Sequence, residues 1–265
     1  MKKLLFVIFM LNTTMLTYAG ENRVAIIEDK SGIVTEISEL KIDCYYTRDK
    51  MKFLYPRNTD YKNYLILSNN IYDVSIPISN IISVYSSKET LVANYKWNNN
   101  IITFTGKPVN KESISGKSDF GDYDILLKNV KNMRFKGEAS NEDFPKYDDK
   151  SIILLKDGSE ISVSGLKYFL FYYTTEGYAF GGTTVNKLEK KISFYRGNST
   201  AVVDFGKINK IQFEKDDKIL ITLKSGKLIN GNFKWYNDGK GFSGIFKNGY
   251  IFIRGDYIDS IKYGL

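Results

Sequence analysis

The chain has 265 residues, carries 38 lysines and arginines against 30 aspartates and glutamates, and contains no histidine. The missing imidazole excludes Ser-His-Asp and Cys-His catalysis, histidine acid–base work and the usual zinc sites. Cys44 is the only cysteine, which excludes an intramolecular disulfide and a thiolate metal cluster.

Met1-Lys2-Lys3 opens the chain, an apolar run covers residues 4–11, and Thr17-Tyr18-Ala19 leads into Gly20. A short cationic region, a short apolar core and small residues at positions −3 and −1 predict a secretory signal peptide over residues 1–19. The apolar run is far below the roughly 20 residues of a membrane-spanning helix. Cleavage after Ala19 is expected to export the mature chain. Without Lys2 and Lys3 the 38 basic residues become 36 against 30 acidic, a net charge of about +6 spread along the chain. Diffuse charge of this kind favours solubility and weak attraction to anionic surfaces. An exported protein meets headgroups and anionic polysaccharide first, so no nucleic-acid partner is expected.

The mature chain, roughly 245 residues, is long enough for one or two cores without disulfide staples. Apolar and polar residues alternate over short runs separated by Gly, Asn, Asp and Ser, and proline is scarce, so the fold class is all-β. Cys44 follows Leu40 and Ile42 in this alternation and reads as a buried, inert thiol.

Two markers recur. The first is a lysine between apolar or aromatic neighbours: Leu40-Lys41-Ile42, Tyr95-Lys96-Trp97, Leu166-Lys167-Tyr168 and Phe233-Lys234-Trp235. In three of the four a turn glycine lies eight or nine residues earlier (Gly32, Gly158, Gly226); the second has Ser86-Ser87-Lys88-Glu89 there instead. The second marker is a tail of apolar residues three apart. It reads Ile78-x-x-Ile81-x-x-Val84, Leu127-x-x-Val130-x-x-Met133-x-Phe135, Phe205-x-x-Ile208-x-x-Ile211-x-Phe213, and Ile258-x-x-Ile261-x-Tyr263. Spacing by three suits one turn of 3₁₀ helix leading into a final strand. Four degenerate copies of one β unit follow from the two markers together.

A turn of this kind, a strand pair and an apolar tail resemble the small SH3-like or Sm-like β-barrel repeats of bacterial cell-envelope proteins. The resemblance implies tandem barrel or β-roll units and carries no functional site with it. The acidic, proline-bearing segment 137–149 is the linker candidate, separating a first pair of repeats (20–136) from a second pair (150–265). Inserts over 46–63 and 174–199 depart from the repeat.

Candidate chemistry is sparse. The acidic pairs Glu28-Asp29, Asp148-Asp149 and Asp216-Asp217 put adjacent carboxylates on opposite faces of a strand, or lie in connections, and do not converge on one bond. Gly239-Lys-Gly-Phe-Ser-Gly244 matches a dinucleotide fingerprint by letter, but its flanks read as hairpin and strand. No catalytic, cofactor-binding or metal-binding residue is expected.

The repeated Lys41, Lys96, Lys167 and Lys234 read as outward strand residues that guard against edge pairing. They are also the candidate surface for an anionic polymer or partner. Trp97 and Trp235 read as core anchors. The expectation is an exported, non-catalytic protein that binds or scaffolds an envelope protein or anionic polymer, with peripheral membrane contact. An outer-membrane β-barrel and an enzyme using carboxylates, lysine or serine are the alternatives.

Overall fold

The computed structural model describes residues 23–44, 64–108, 112–140, 147–174, 183–233, 241–247 and 249–264. The all-β expectation holds: the described elements are 21 strands in one antiparallel sheet, with four short 3₁₀ turns. The predicted signal peptide, the insert 46–63, Lys234 and Trp235 lie outside the described residues.

The first half of the chain runs β1 (Ala25–Asp29), β2 (Val34–Cys44), β3 (Tyr64–Ser68), β4 (Tyr72–Pro77), β5 (Ile81–Ser87), β6 (Thr90–Trp97), β7 (Asn100–Pro108), β8 (Glu112–Ser118), β9 (Gly121–Leu126) and β10 (Val130–Phe135). The second half runs β11 (Lys150–Leu155), β12 (Glu160–Thr174), β13 (Thr183–Glu189), β14 (Lys191–Arg196), β15 (Ser199–Asp204), β16 (Ile208–Phe213), β17 (Lys218–Leu223), β18 (Leu228–Asn232), β19 (Gly241–Phe246), β20 (Gly249–Arg254) and β21 (Ile258–Tyr263).

Local chemistry sets the turns. Gly32, Gly158 and Gly226 have φ of +86°, +86° and +83°, and each N–H donates to the carbonyl three residues earlier, on Asp29, Leu155 and Leu223. A Lys-x-Gly loop of this form is a tight turn whose third residue sits in the left-handed region, which glycine enters without steric cost. The tails behave as their spacing predicts. The 3₁₀ turns Ile78–Asn80, Leu127–Asn129, Phe205–Lys207 and Gly255–Tyr257 each lead directly into β5, β10, β16 and β21. The first residue of each strand (Ile81, Val130, Ile208, Ile258) and the residue three later (Val84, Met133, Ile211, Ile261) are fully buried. Ile78, Leu127 and Phe205 at the start of three of the turns are buried too, and a one-residue bulge just inside each closing strand turns its first residue and the residue three later to the same face, so the apolar side chains enter the core in a column.

The pairings of the first half recur in the second strand for strand. β1 pairs with β2 and β10 as β11 does with β12 and β21. β5 pairs with β6 and β10 as β16 does with β17 and β21. β2 lies beside β8 as β12 lies beside β19, and β3 beside β7 as β14 beside β18. Each half is also two-fold within itself. Val84 pairs with Met133 where β5 crosses to β10, and Ile211 pairs with Ile261 where β16 crosses to β21, so the two tails of a half meet at equivalent residues.

Among the described residues the second and third strands of each unit do not pair with each other. β2 runs not to β3 but to β8, and β3 runs to β7, so the two parts of a half exchange strands reciprocally. Glycine permits the crossings. A Cβ on Gly116 would lie 2.6 Å from the Ser38 carbonyl, and one on Gly244 would lie 2.9 Å from the Ser164 carbonyl at the matching place. Gly106 and Gly231 do the same for the second crossing, at 2.8 Å from the Ser68 carbonyl and 2.5 Å from the Tyr195 carbonyl. Glycine inside a strand marks such close backbone approach.

Two apolar clusters result. One gathers Ile27, Ile37, Trp97, Val130 and Met133 with their neighbours; the other gathers Ile153, Tyr168, Phe194, Phe242 and Ile261. The halves join through β4 and β20, which pair antiparallel from Tyr72 with Ile253 to Ser75 with Tyr250. Tyr250 packs edge-on to Trp97 at 6.2 Å and to Tyr64 at 6.4 Å, and Tyr72 packs edge-on to Phe246 at 6.2 Å.

Two details differ from the sequence reading. The expected insert 174–199 contains β14, the counterpart of β3, so the inserted structure is the extension of β12 with β13. The second copy begins with β6, and its turn is Asn98-Asn99, with φ of +47° and +62°, where the sequence pointed to Ser86-Ser87-Lys88-Glu89. Asparagine enters the left-handed region more readily than other side-chain-bearing residues and replaces the glycine there.

Candidate functional site

The exchange of strands leaves an open mouth where the first two strands of one copy meet the β14–β15 or β8–β9 hairpin of the other. In the second half this mouth is a cleft of 860 Å³ between β14, β15, β17 and β18. Its polar wall comes from Tyr195 and Arg196 at the end of β14, Glu214 and Lys218 around the turn into β17, and Asn230 and Asn232 on β18. Alternation along β18 decides which side chains reach the cleft: Asn230 and Asn232 are exposed while Phe233 is buried. Gly231 between them lets β18 close on β14, since a Cβ there would lie 2.5 Å from Phe194 Cδ2. The turn before β17 is Asp216-Asp217, both at φ +58°. This acidic pair shapes a hairpin.

The first half carries the matching cleft, of 580 Å³, lined by Thr35, Glu36, Ser38, Lys117, Asp119 and Phe120. Lys117 forms an ion pair with Asp122, and that hydrogen bond raises the ammonium pKa above the ordinary lysine value. The clefts therefore share a place in the fold but differ in chemistry. The larger offers a guanidinium, an ammonium, a carboxylate, a phenol and two amides over an open trough. That set presents hydrogen-bond donors and acceptors, with two cations beside one carboxylate. Among the described residues no three His, Cys, Asp or Glu side chains group as a metal site.

No protein-family model matches the chain, and no curated protein matches it.

Lys41 and Lys167 stand at matching places. Each follows a bulge in its strand, at Glu39 (φ +51°) and Gly165 (φ +61°), and pairs across to Ser115 and Ser243 respectively. Lys41 is exposed and Lys167 half-buried. Lys96 is half-buried on β6, the counterpart of β17, and so does not occupy the place of the other two. Lys234 lies outside the described residues. Trp97 is 1% exposed, a core anchor. Sequence reasoning missed the cleft residues Arg196, Lys218, Asn230 and Asn232. The alternation along residues 228–233 held the signal for Asn230 and Asn232 alone, and the hairpin that carries Arg196 is brought in by pairing that sequence does not declare.

Proposed function

We propose that the chain is an exported, non-catalytic protein built from four degenerate SH3-like or Sm-like copies in two pairs, and that it binds anionic polymer at the bacterial envelope. In support of the unit, each copy runs through two strands, two further strands, a 3₁₀ turn and a closing strand. Exchange of the second and third strands between neighbours fuses two such units into one half. The observation that carries the binding reading is the 860 Å³ cleft, where Arg196 and Lys218 outnumber Glu214 along an open polar trough. Arginine presents a planar fork suited to carboxylate, sulfate or phosphate, and the two asparagines and Tyr195 add neutral hydrogen bonds. Lys41 on β2 and Lys167 on β12 add cations elsewhere on the exchanged strands.

Such contacts are individually weak and are screened over about 8 Å at physiological salt. The mature chain is therefore expected to be retained on anionic polysaccharide at low salt and released as salt rises. The double variant Arg196→Ala, Lys218→Ala is expected to elute several-fold earlier in the salt series, and the fourfold variant Lys41, Lys96, Lys167 and Lys234→Ala earlier than the wild type. Retention equal among all three proteins, or none for the wild type at low salt, contradicts the reading. Intact mass of the protein recovered from the periplasmic or surface fraction is expected to begin at Gly20; a mature chain retaining residues 1–11 contradicts the compartment.

A further inference from the structure

The strands that precede the 3₁₀ turns are β4, β9, β15 and β20, one from each copy. Two of them, β4 and β20, join the halves by pairing with each other. The other two are open: among the described residues β9 pairs with β8 and β15 with β14, and neither has a second neighbour. The correspondence is residue by residue, because the hairpins β8–β9 and β19–β20 have the same register, as do β3–β4 and β14–β15. It matches Asp122 with Tyr250 and Tyr123 with Ile251 on one side, and Ala201 with Val74 and Val202 with Ser75 on the other. One molecule thus contains a completed junction and both separated halves of another.

We propose that copies of this chain join head to tail through these edges, β9 of one copy lying antiparallel beside β15 of the next. Transfer of the internal register opposes Asp122 to Val202, Tyr123 to Ala201, Asp124 to Thr200 and Ile125 to Ser199. An unpaired strand edge presents a row of free N–H and C=O groups that a second chain satisfies. Pairing of β9 with β9 of another copy is disfavoured: the same geometry centres it on Tyr123 and sets Asp122 against Asp124 twice, and like charges directly opposite are destabilising. β15 offers Ser199, Thr200, Ala201, Val202 and Val203 without charge, so it accepts the acidic edge. Because the two surfaces differ, the contact is heterologous and builds an open chain or a ring.

Val202 is 57% exposed at the centre of one edge, and Phe120, 70% exposed, packs edge-on to Tyr123 at 6.3 Å beside the other. The internal junction is reinforced by Tyr250 and Tyr72, whose counterparts here are Asp122 and Ser199. The contact between copies is correspondingly weaker than the junction within one, and association depends on concentration.

The test is the weight-average mass of the full mature chain by sedimentation over a concentration series. The wild type is expected to rise from the mass of one copy to several. Val202→Asp, which sets a carboxylate against Asp122, is expected to stay at the mass of one copy. Adding Asp122→Lys to Val202→Asp is expected to restore association, which also shows that the blocked variant folds. A wild type that stays at one copy at the highest concentration overturns the proposal. So does a Val202→Asp variant that associates like the wild type, or one that Asp122→Lys fails to rescue.

Discussion

Ile261→Ala is expected to destabilise the second half by about 2–5 kcal/mol, the cost of truncating a well-buried isoleucine. Ile261 is fully buried on β21, between Ile153 of β11 and Ile211 of β16. It therefore sits between two neighbouring strands at the point where two tails meet, and its removal leaves a cavity that neither strand alone can collapse to fill. Against a total stability of roughly 5–15 kcal/mol this is a large fraction. At about 2–4 °C per kcal/mol for a chain of this size, the melting temperature falls by several degrees or more. Met133→Ala, at the matching place in the first half, is expected to act the same way on the first half. Lys41→Ala, at an exposed position, is expected to change stability by less than about 0.5 kcal/mol. Thermal unfolding followed by circular dichroism checks both; equal and small effects contradict the placement of the tails in the core.

Gly244→Ala and Gly116→Ala carry the second large effect. The added Cβ of Gly244 would lie 2.3 Å from Val163 Cγ1 and 2.9 Å from the Ser164 carbonyl, and that of Gly116 would lie 2.3 Å from Ile37 Cγ2 and 2.6 Å from the Ser38 carbonyl. A side-chain methyl can rotate away, but the carbonyl belongs to the neighbouring strand and must move with it. Overpacking of this kind costs about 1–3 kcal/mol. Since the two glycines belong to different halves and different cores, their costs are expected to add within about 0.5 kcal/mol. Ser162→Ala, at an exposed position on β12, is the control. Denaturant midpoints of the two single variants and the double variant measure this directly. A double variant as stable as the wild type would mean that β2 and β12 do not lie against β8 and β19.

The tails were legible because the step of three from Ile78, Leu127 or Phe205 to the next apolar residue spans one 3₁₀ turn, while the next step, Ile258 to Ile261 and its counterparts, falls inside a strand where a bulge puts both residues on the core face. The Lys-x-Gly loops were legible because positive φ at Gly32, Gly158 and Gly226 leaves few alternatives. The second copy slipped because Asn98 and Asn99 supply the same backbone without glycine, which moved Lys96 and Trp97 one strand out of place in the sequence reading. Choice of partner was not legible. Alternation fixes the face a side chain takes but not the strand that lies beside it, so the exchange of β2 and β3 with β8 and β7 had no signal in the apolar pattern. The glycines inside strands, Gly106, Gly116, Gly231 and Gly244, were the available hint, since each sits where two backbones come together. The cleft shared that fate, because Arg196 and Asn230 lie 34 residues apart and meet only through the pairing of β14 with β18.

Reciprocal exchange of strands between copies positions both clefts, both bulge lysines and both open edges, and backbone amide contacts observed by NMR on the deuterated mature chain test it most directly. The exchanged arrangement predicts cross-strand contacts of Lys41 with Ser115 and of Lys167 with Ser243. Contacts of β2 with β3 and of β12 with β14 in their place, each copy closing on itself, would contradict it.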